Sequence, residues 1–177
     1  DGDGAPDLIL ACEWGPLKIF RNERGRLVPW SLGVSFPKTL NSQLSTLNSL
    51  TGWWNGVNTG DFDGDGRMDI VASNWGQNTR YERFRREPLR LFYGDLDGNG
   101  TVEVIEAYLD ERRLLPLQSW HWVGSALPPI RERLGSCMAY AEATLDHIYG
   151  EPLKTARELR ASWLETTVFL NRGDHFE

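Results

Sequence analysis

Asp61-Phe62-Asp63-Gly64-Asp65-Gly66-Arg67-Met68-Asp69 recurs 34 residues later as Asp95-Leu96-Asp97-Gly98-Asn99-Gly100-Thr101-Val102-Glu103. A third copy, Asp1-Gly2-Asp3-Gly4-Ala5-Pro6-Asp7, lacks the first two positions of the pattern, so the chain reads as a fragment that opens inside a repeat. Each full copy places oxygen-bearing side chains at its first, third, fifth and ninth positions and a glycine at the sixth. Alternate side chains of a tight loop converge on one point, and glycine takes up the positive φ that the turn needs.

That pattern suits a hard cation. Ca²⁺ takes six to eight oxygen ligands from carboxylates, amide side chains and backbone carbonyls. The ligands expected in one loop are Asp61, Asp63, Asp65, the carbonyl of Arg67 and Asp69. In the next they are Asp95, Asp97, Asn99, the carbonyl of Thr101 and Glu103. The shortened copy offers Asp1, Asp3, the carbonyl of Ala5 and Asp7. No thiol or imidazole takes part, which disfavours zinc and copper. Acidic surface turns are the plainer reading of any one copy. Four carboxylates within nine residues repel one another without a cation, and the pattern appears three times. Residues 95–106 also fit the EF-hand template, ending in Glu106. That template needs a helix on each side, whereas Leu89–Tyr93 reads as a strand, and Ala72 stands where the second copy needs a bidentate Glu.

Outward from the loops, apolar runs with strand character lead to expected antiparallel strands at 8–11, 17–21, 56–61, 69–73, 89–94 and 167–171. Two phrases repeat loosely, Ile19-Phe20-Arg21-Asn22 and Phe169-Leu170-Asn171-Arg172, each running into a Gly-containing turn. Within 128–149, Ile130, Leu134, Met138, Ala141, Leu145 and Ile148 fall at helical spacing, opened by Pro128-Pro129, broken at Gly135 and closed by Gly150. Leu153, Ala156, Leu159 and Trp163 suggest a second helix over 152–162. Residues 112–165 therefore read as a mainly helical insertion that packs Ile130, Leu134, Leu145 and Ile148 on a host surface. The expected fold is mainly β, a partial β-propeller with an α-helical insertion. Its repeats are 1–45, 46–94 and 95–177.

The formal net charge is −6, and ten carboxylates lie in the three loops. An acidic chain lacks the basic face of a nucleic-acid binder. No apolar run approaches the ~18 residues of a membrane span. Cys12 and Cys137 sit among apolar residues and read as buried free thiols. Trp53, Trp54, Trp75, Trp120 and Trp122 offer a sugar-stacking platform, though packing in a core is the plainer use of tryptophan. Arg80, Arg83, Arg85, Arg86 and Arg90 are interleaved with Glu82 and Glu87 and read as a solvated loop. His121, His147 and His175 are scattered, and no nucleophile elbow, P-loop or dinucleotide fingerprint is present.

The loops resemble the Ca²⁺ motifs of FG-GAP repeats, also called VCBS or integrin α-type repeats. More closely, the chain resembles bacterial FG-GAP/VCBS proteins related to cartilage acidic protein, many of which carry an ASPIC and UnbV segment. The matching phrases are Glu13-Trp14-Gly15-Pro16, Gly52-Trp53-Trp54-Asn55-Gly56-Val57, Ser73-Asn74-Trp75-Gly76-Gln77-Asn78, Tyr140-Ala141-Glu142-Ala143-Thr144-Leu145 and Thr167-Val168-Phe169-Leu170-Asn171, with the loops themselves. The resemblance implies a propeller with structural Ca²⁺ in hairpin loops. It implies a place outside the cell, in the periplasm or on the outer surface, and a role in protein or glycan interaction, with the remaining blades of the full-length chain as partners. No membrane insertion is expected. The alternative is a propeller-based hydrolase or lyase whose catalytic residues lie in other blades. No acid/base cluster outside the loops supports that here, and no catalytic residue is assigned.

Overall fold

The computed structural model describes residues 2–36, 46–76, 79, 81 and 87–177. Asp1, Gln77, Asn78 and the arginines at 80, 83, 85 and 86, with Glu82, lie outside the described residues. The protein is mainly β, with open sheets and a helical section. It forms two compact units, one from Asp1–Arg80 with Ala161–Glu177 and the other from Tyr81–Arg160.

In the first unit, strands β1 (Leu8–Leu10), β3 (Lys18–Glu23) and β4 (Arg26–Trp30) form one antiparallel sheet in the order β1-β3-β4. A second sheet has the order β12-β7-β6-β2, with β2 at Glu13–Gly15, β6 at Gly52–Gly60, β7 at Asp69–Asn74 and β12 at Thr167–Phe169. The short β5 (Gly33–Val34) and β13 (His175–Phe176) pair in parallel. Alternation decides what is buried: Ile19, Trp54, Ile70, Ala72 and Phe169 face inward and join Leu17, Leu47, Leu50 and Phe176 in one core. Trp54 donates its indole N–H to the Leu50 carbonyl at 3.0 Å, which satisfies its one polar atom inside that core.

Two points in this unit tolerate little change. A Cβ on Gly52 would meet the Trp163 carbonyl at 2.4 Å and the Asn74 amide at 2.5 Å. Asn74, 6% exposed, accepts from the N–H of Trp53 at 3.0 Å and of Trp75 at 2.8 Å, and donates to the Trp163 carbonyl at 2.9 Å. One buried amide thus ties β6, β7 and the segment leading into β12.

In the second unit the sheet order is β10-β9-β8-β11, with β8 at Leu89–Gly94, β9 at Glu103–Asp110, β10 at Arg113–Pro116 and β11 at Arg157–Ala161. Five short helices follow β10: α1 (Trp120–Ala126), α2 (Pro128–Leu134), α3 (Cys137–Glu142), α4 (Leu145–Tyr149) and α5 (Glu151–Thr155). Pro128 and Pro129 open α2, and Gly135 closes it in the left-handed conformation at φ 71°. Ile130, Leu145 and Ile148 are buried, and Leu134 packs against the same core. The surface they cover belongs to their own unit: Phe92, Ile105 and Ala107 of β8 and β9.

Several expectations need correction. Helices span 120–155 within 112–165, and both ends of that stretch are strands. The helix expected over 152–162 stops at Thr155, because Ala156 turns extended (ψ 145°) and Arg157–Ala161 joins the sheet beside β8. Leu159, counted in that apolar stripe, is 36% exposed. The EF-hand reading fails, since strands β8 and β9 flank the 95–103 loop and Glu106 accepts a hydrogen bond from the Tyr81 hydroxyl at 2.7 Å. Cys12 is half-buried and Cys137 is exposed; both are free thiols. Cys137 stands at the first turn of α3, whose buried side chain is Tyr140.

Candidate metal centre

Each full loop closes a hairpin. Gly60 pairs with Asp69 across β6–β7, and Gly94 pairs with Glu103 across β8–β9. Inside the turn the hydrogen bonding repeats position by position. Asp61 accepts from the N–H groups of Gly64 (2.7 Å), Asp65 (3.1 Å) and Gly66 (3.0 Å). Asp95 accepts from Gly98 (2.7 Å), Asn99 (3.0 Å) and Gly100 (2.9 Å). The third-position carboxylate accepts from the fifth N–H, Asp65 to Asp63 at 3.3 Å and Asn99 to Asp97 at 3.1 Å. The fifth side chain accepts from the seventh N–H, Arg67 to Asp65 at 2.9 Å and Thr101 to Asn99 at 2.7 Å. The glycines at the fourth and sixth positions hold φ between 78° and 85°, where a Cβ is strained.

These bonds aim oxygens at one another. Carboxylate oxygens of Asp61, Asp63 and Asp65 lie within 4.8 Å of one another, as do those of Asp95, Asp97 and Glu103. Two ligands of one Ca²⁺ at about 2.4 Å are at most about 4.8 Å apart, so both groups fit a shared ion. The donor set, oxygen only, suits the same cation.

The ninth position separates the loops. Asp69 is fully buried, and both its oxygens accept backbone N–H groups, from Phe62 at 2.8 Å and Asn171 at 2.7 Å. Glu103 accepts from the Leu96 N–H at 2.7 Å, and its other oxygen accepts from the Thr101 hydroxyl at 2.9 Å. In the shortened copy Asp3 accepts from Ala5 N–H at 2.8 Å and Asp7 from Asn22 N–H at 2.9 Å, the fifth- and ninth-position roles.

Two arginines stand at the 61–69 loop. Arg67 pairs with Asp65 and donates its Nε–H to the Asn171 carbonyl at 2.7 Å. Arg172 reaches Asp63 Oδ2 at 2.5 Å and Asp65 Oδ2 at 3.3 Å. The Arg172 hydrogen bond holds the Asp63 carboxyl below its ordinary range, and Asp63 with Glu177 holds the guanidinium above its own. Neither Arg172 nor Asn171 was singled out as a site residue in the sequence. The signal was the repeated Arg21-Asn22 and Asn171-Arg172 phrases, which read only as strand ends.

The proposed tryptophan platform is dispersed. Trp53 stacks on Trp75 at 4.0 Å and meets Trp14 at 5.6 Å, Trp54 lies in the core, Trp120 packs on Tyr140, and Trp122 is exposed.

No curated protein and no solved structure matches the chain. Residues 1–72, which run from the shortened loop through the 61–69 loop into β7, match the family model described as an FG-GAP-like repeat, and to that repeat this part of the chain is similar.

Proposed function

We propose that this chain is a Ca²⁺-stabilised repeat module of a β-propeller that acts in protein or glycan interaction outside the cell. The observation that carries this reading is the two oxygen clusters, Asp61, Asp63 and Asp65 and Asp95, Asp97 and Glu103, in turns whose first, third and fifth positions share one hydrogen-bonding plan. Exposed carboxylates packed this closely repel one another, and a divalent cation relieves that repulsion. The match to an FG-GAP-like repeat over residues 1–72 supports both the repeat and its extracellular setting, and the finer kinship with proteins related to cartilage acidic protein belongs to the same proposal. In this reading the ion is structural, the loops are held in shape by it, and other blades of the full-length chain complete the propeller. No helix among the described residues is long and apolar enough to cross a membrane.

Calorimetric titration of the chain with CaCl₂ tests the reading, with MgCl₂ as comparison. The expected result is two Ca²⁺ ions bound per chain, each lost when its own loop is neutralised, and weaker Mg²⁺ binding because Mg²⁺ demands a rigid octahedron. A flat Ca²⁺ titration of folded protein would sink it.

A further inference from the structure

We infer that Arg172 is a built-in counter-cation of the 61–69 loop, competing with Ca²⁺ for Asp63 and Asp65, so that this loop loads after the 95–103 loop. The inference rests on reading both loops as Ca²⁺ sites. By charge alone the order runs the other way. The 61–69 loop carries four carboxylates, Asp61, Asp63, Asp65 and Asp69, and the 95–103 loop carries three, Asp95, Asp97 and Glu103.

Three observations reverse it. Arg172 contacts two of the three clustered carboxylates, at 2.5 and 3.3 Å, while its Nε–H holds Glu177 at 2.9 Å. Its side chain is 27% exposed, so the pairing is partly shielded from water. In the other full loop an uncharged group takes the corresponding place, with the Asn99 amide donating to Asp97 Oδ2 at 2.9 Å. The repeat itself does not require the arginine. Asn22 and Asn171 occupy equivalent positions, and the residue after Asn22 is Glu23. An arginine there is a feature of this one loop, and its planar charge satisfies part of what a cation supplies. Arg172 lies 109 residues from Asp63 in sequence, so the counter-charge arrives only when the strand after the second unit docks on β7.

Site-resolved titration of the unmodified chain is the first test. The amide signals of Gly98 and Gly100 are expected to saturate at lower CaCl₂ than those of Gly64 and Gly66. Saturation of the 61–69 glycines first, or of both pairs together, overturns the inference and leaves the Ca²⁺ reading standing. No shift at either loop in folded protein removes the reading itself, and the inference with it. The second test measures Arg172→Gln and Arg172→Lys in a background with Asp97→Asn and Glu103→Gln, which silences the other loop. Arg172→Gln is expected to bind Ca²⁺ on the order of tenfold more tightly than the parent, and Arg172→Lys within about twofold of it. Equal affinity for Gln and the parent overturns the inference.

Discussion

The backbone N–H of Asn171 donates to Asp69 Oδ1 at 2.7 Å, and Asn22 makes the same bond to Asp7 Oδ1 at 2.9 Å. The correspondence extends further. Each asparagine donates its side-chain amide to the carbonyl just before the aspartate, Met68 or Pro6, at 3.1 Å. Each accepts on its side-chain oxygen from a turn glycine, Gly173 at 2.8 Å and Gly25 at 2.7 Å. The repeat is therefore a loop, a strand and an asparagine from the neighbouring strand that fastens the loop's last carboxylate. In the first copy the asparagine follows after 15 residues, and in the second after 102, with Tyr81–Arg160 between. Among the described residues no asparagine makes this bond to Glu103 in the 95–103 loop, whose carboxylate accepts from the Leu96 N–H and the Thr101 hydroxyl instead.

Asn171→Ala should therefore destabilise the first unit by about 1–3 kcal/mol, since it strips a donor from the Met68 carbonyl and frees the turn at Gly173. Asn171→Asp should cost more, because a carboxylate oxygen would then meet the Met68 carbonyl where the amide now donates. Urea unfolding followed by tryptophan fluorescence checks the order wild type, Ala, Asp. Equal midpoints for all three would show that the clip carries no stability.

Gly52→Ala should be among the most damaging small changes in the chain. The new methyl group would sit 2.4 Å from the Trp163 carbonyl, and relieving that contact breaks the Asn74 bonds to β6 and to the segment leading into β12. The expected loss is about 2–4 kcal/mol. Gly56→Ala, where the nearest atom is the Ser73 hydroxyl at 3.3 Å, should cost less than half of that. Thermal melts of the two variants give the comparison.

The loops were legible because side-chain oxygens at alternate positions, with glycines between, announce a tight acidic turn in local sequence. The strands after the first two were legible for the same reason, since Leu8–Leu10 and Asp69–Asn74 begin where each loop ends, whereas β9 (Glu103–Asp110), after the third, was not among the expected strands. What local sequence does not carry is pairing over distance. Asn171 reaches Asp69 across 102 residues, and Arg172 reaches Asp63 across 109, so the repeated asparagine phrase marks one end of the contact and nothing in it names the partner. The stripe Leu153, Ala156, Leu159 and Trp163 misled because its four members fall in different places: Leu153 in α5, Ala156 at its end, Leu159 exposed in β11 and Trp163 in the segment after it. Arg157–Ala161 was settled by pairing beside β8. The 112–165 stretch read as an insertion needing a host surface because its sheet partners, Phe92, Ile105 and Ala107, lie in segments that local reading assigned to the repeats.

Burial pushes the hydroxyls of Tyr140 and Tyr149 above the ordinary tyrosine range, with a smaller contribution from the neighbouring tyrosines. Tyr140 also donates to the Gln118 carbonyl at 2.9 Å. A folded pKa raised above the unfolded value near ~10 means that the stabilising form is the protonated one. Its contribution is complete below that pH and declines as the pH rises through the folded values. Phenolate absorbance should show a late ionisation phase among the five tyrosines, coincident with unfolding. Tyr140→Phe and Tyr149→Phe should each remove part of it. A single phase near ~10 in the folded chain would contradict this burial.

The last expectation concerns the metal. Removing Ca²⁺ leaves the carboxylates of Asp61, Asp63 and Asp65 together, with Arg67 and Arg172 as the cations opposing them among the described residues. An ion that binds the folded loops alone raises stability by mass action, about 0.4–1.4 kcal/mol for a site held at one to ten times its Kd. Extracellular Ca²⁺ modules have Kd values on the order of 10⁻⁴–10⁻³ M, so millimolar Ca²⁺ should raise the melting temperature by a few degrees over chelator. The double change Asp63→Asn with Asp65→Asn should remove most of the part due to the 61–69 loop. It should also raise the melting temperature in chelator relative to its effect in Ca²⁺, because the repulsion goes with the charge. Asp7→Asn should change the Ca²⁺-dependent gain little, since Asp7 contributes to the Asn22 clip rather than to either oxygen cluster. Melting curves that coincide in Ca²⁺ and in chelator would mean that the loops hold their shape through backbone hydrogen bonds alone, with Asp61 and Asp95 as the centres of two ordinary acidic turns.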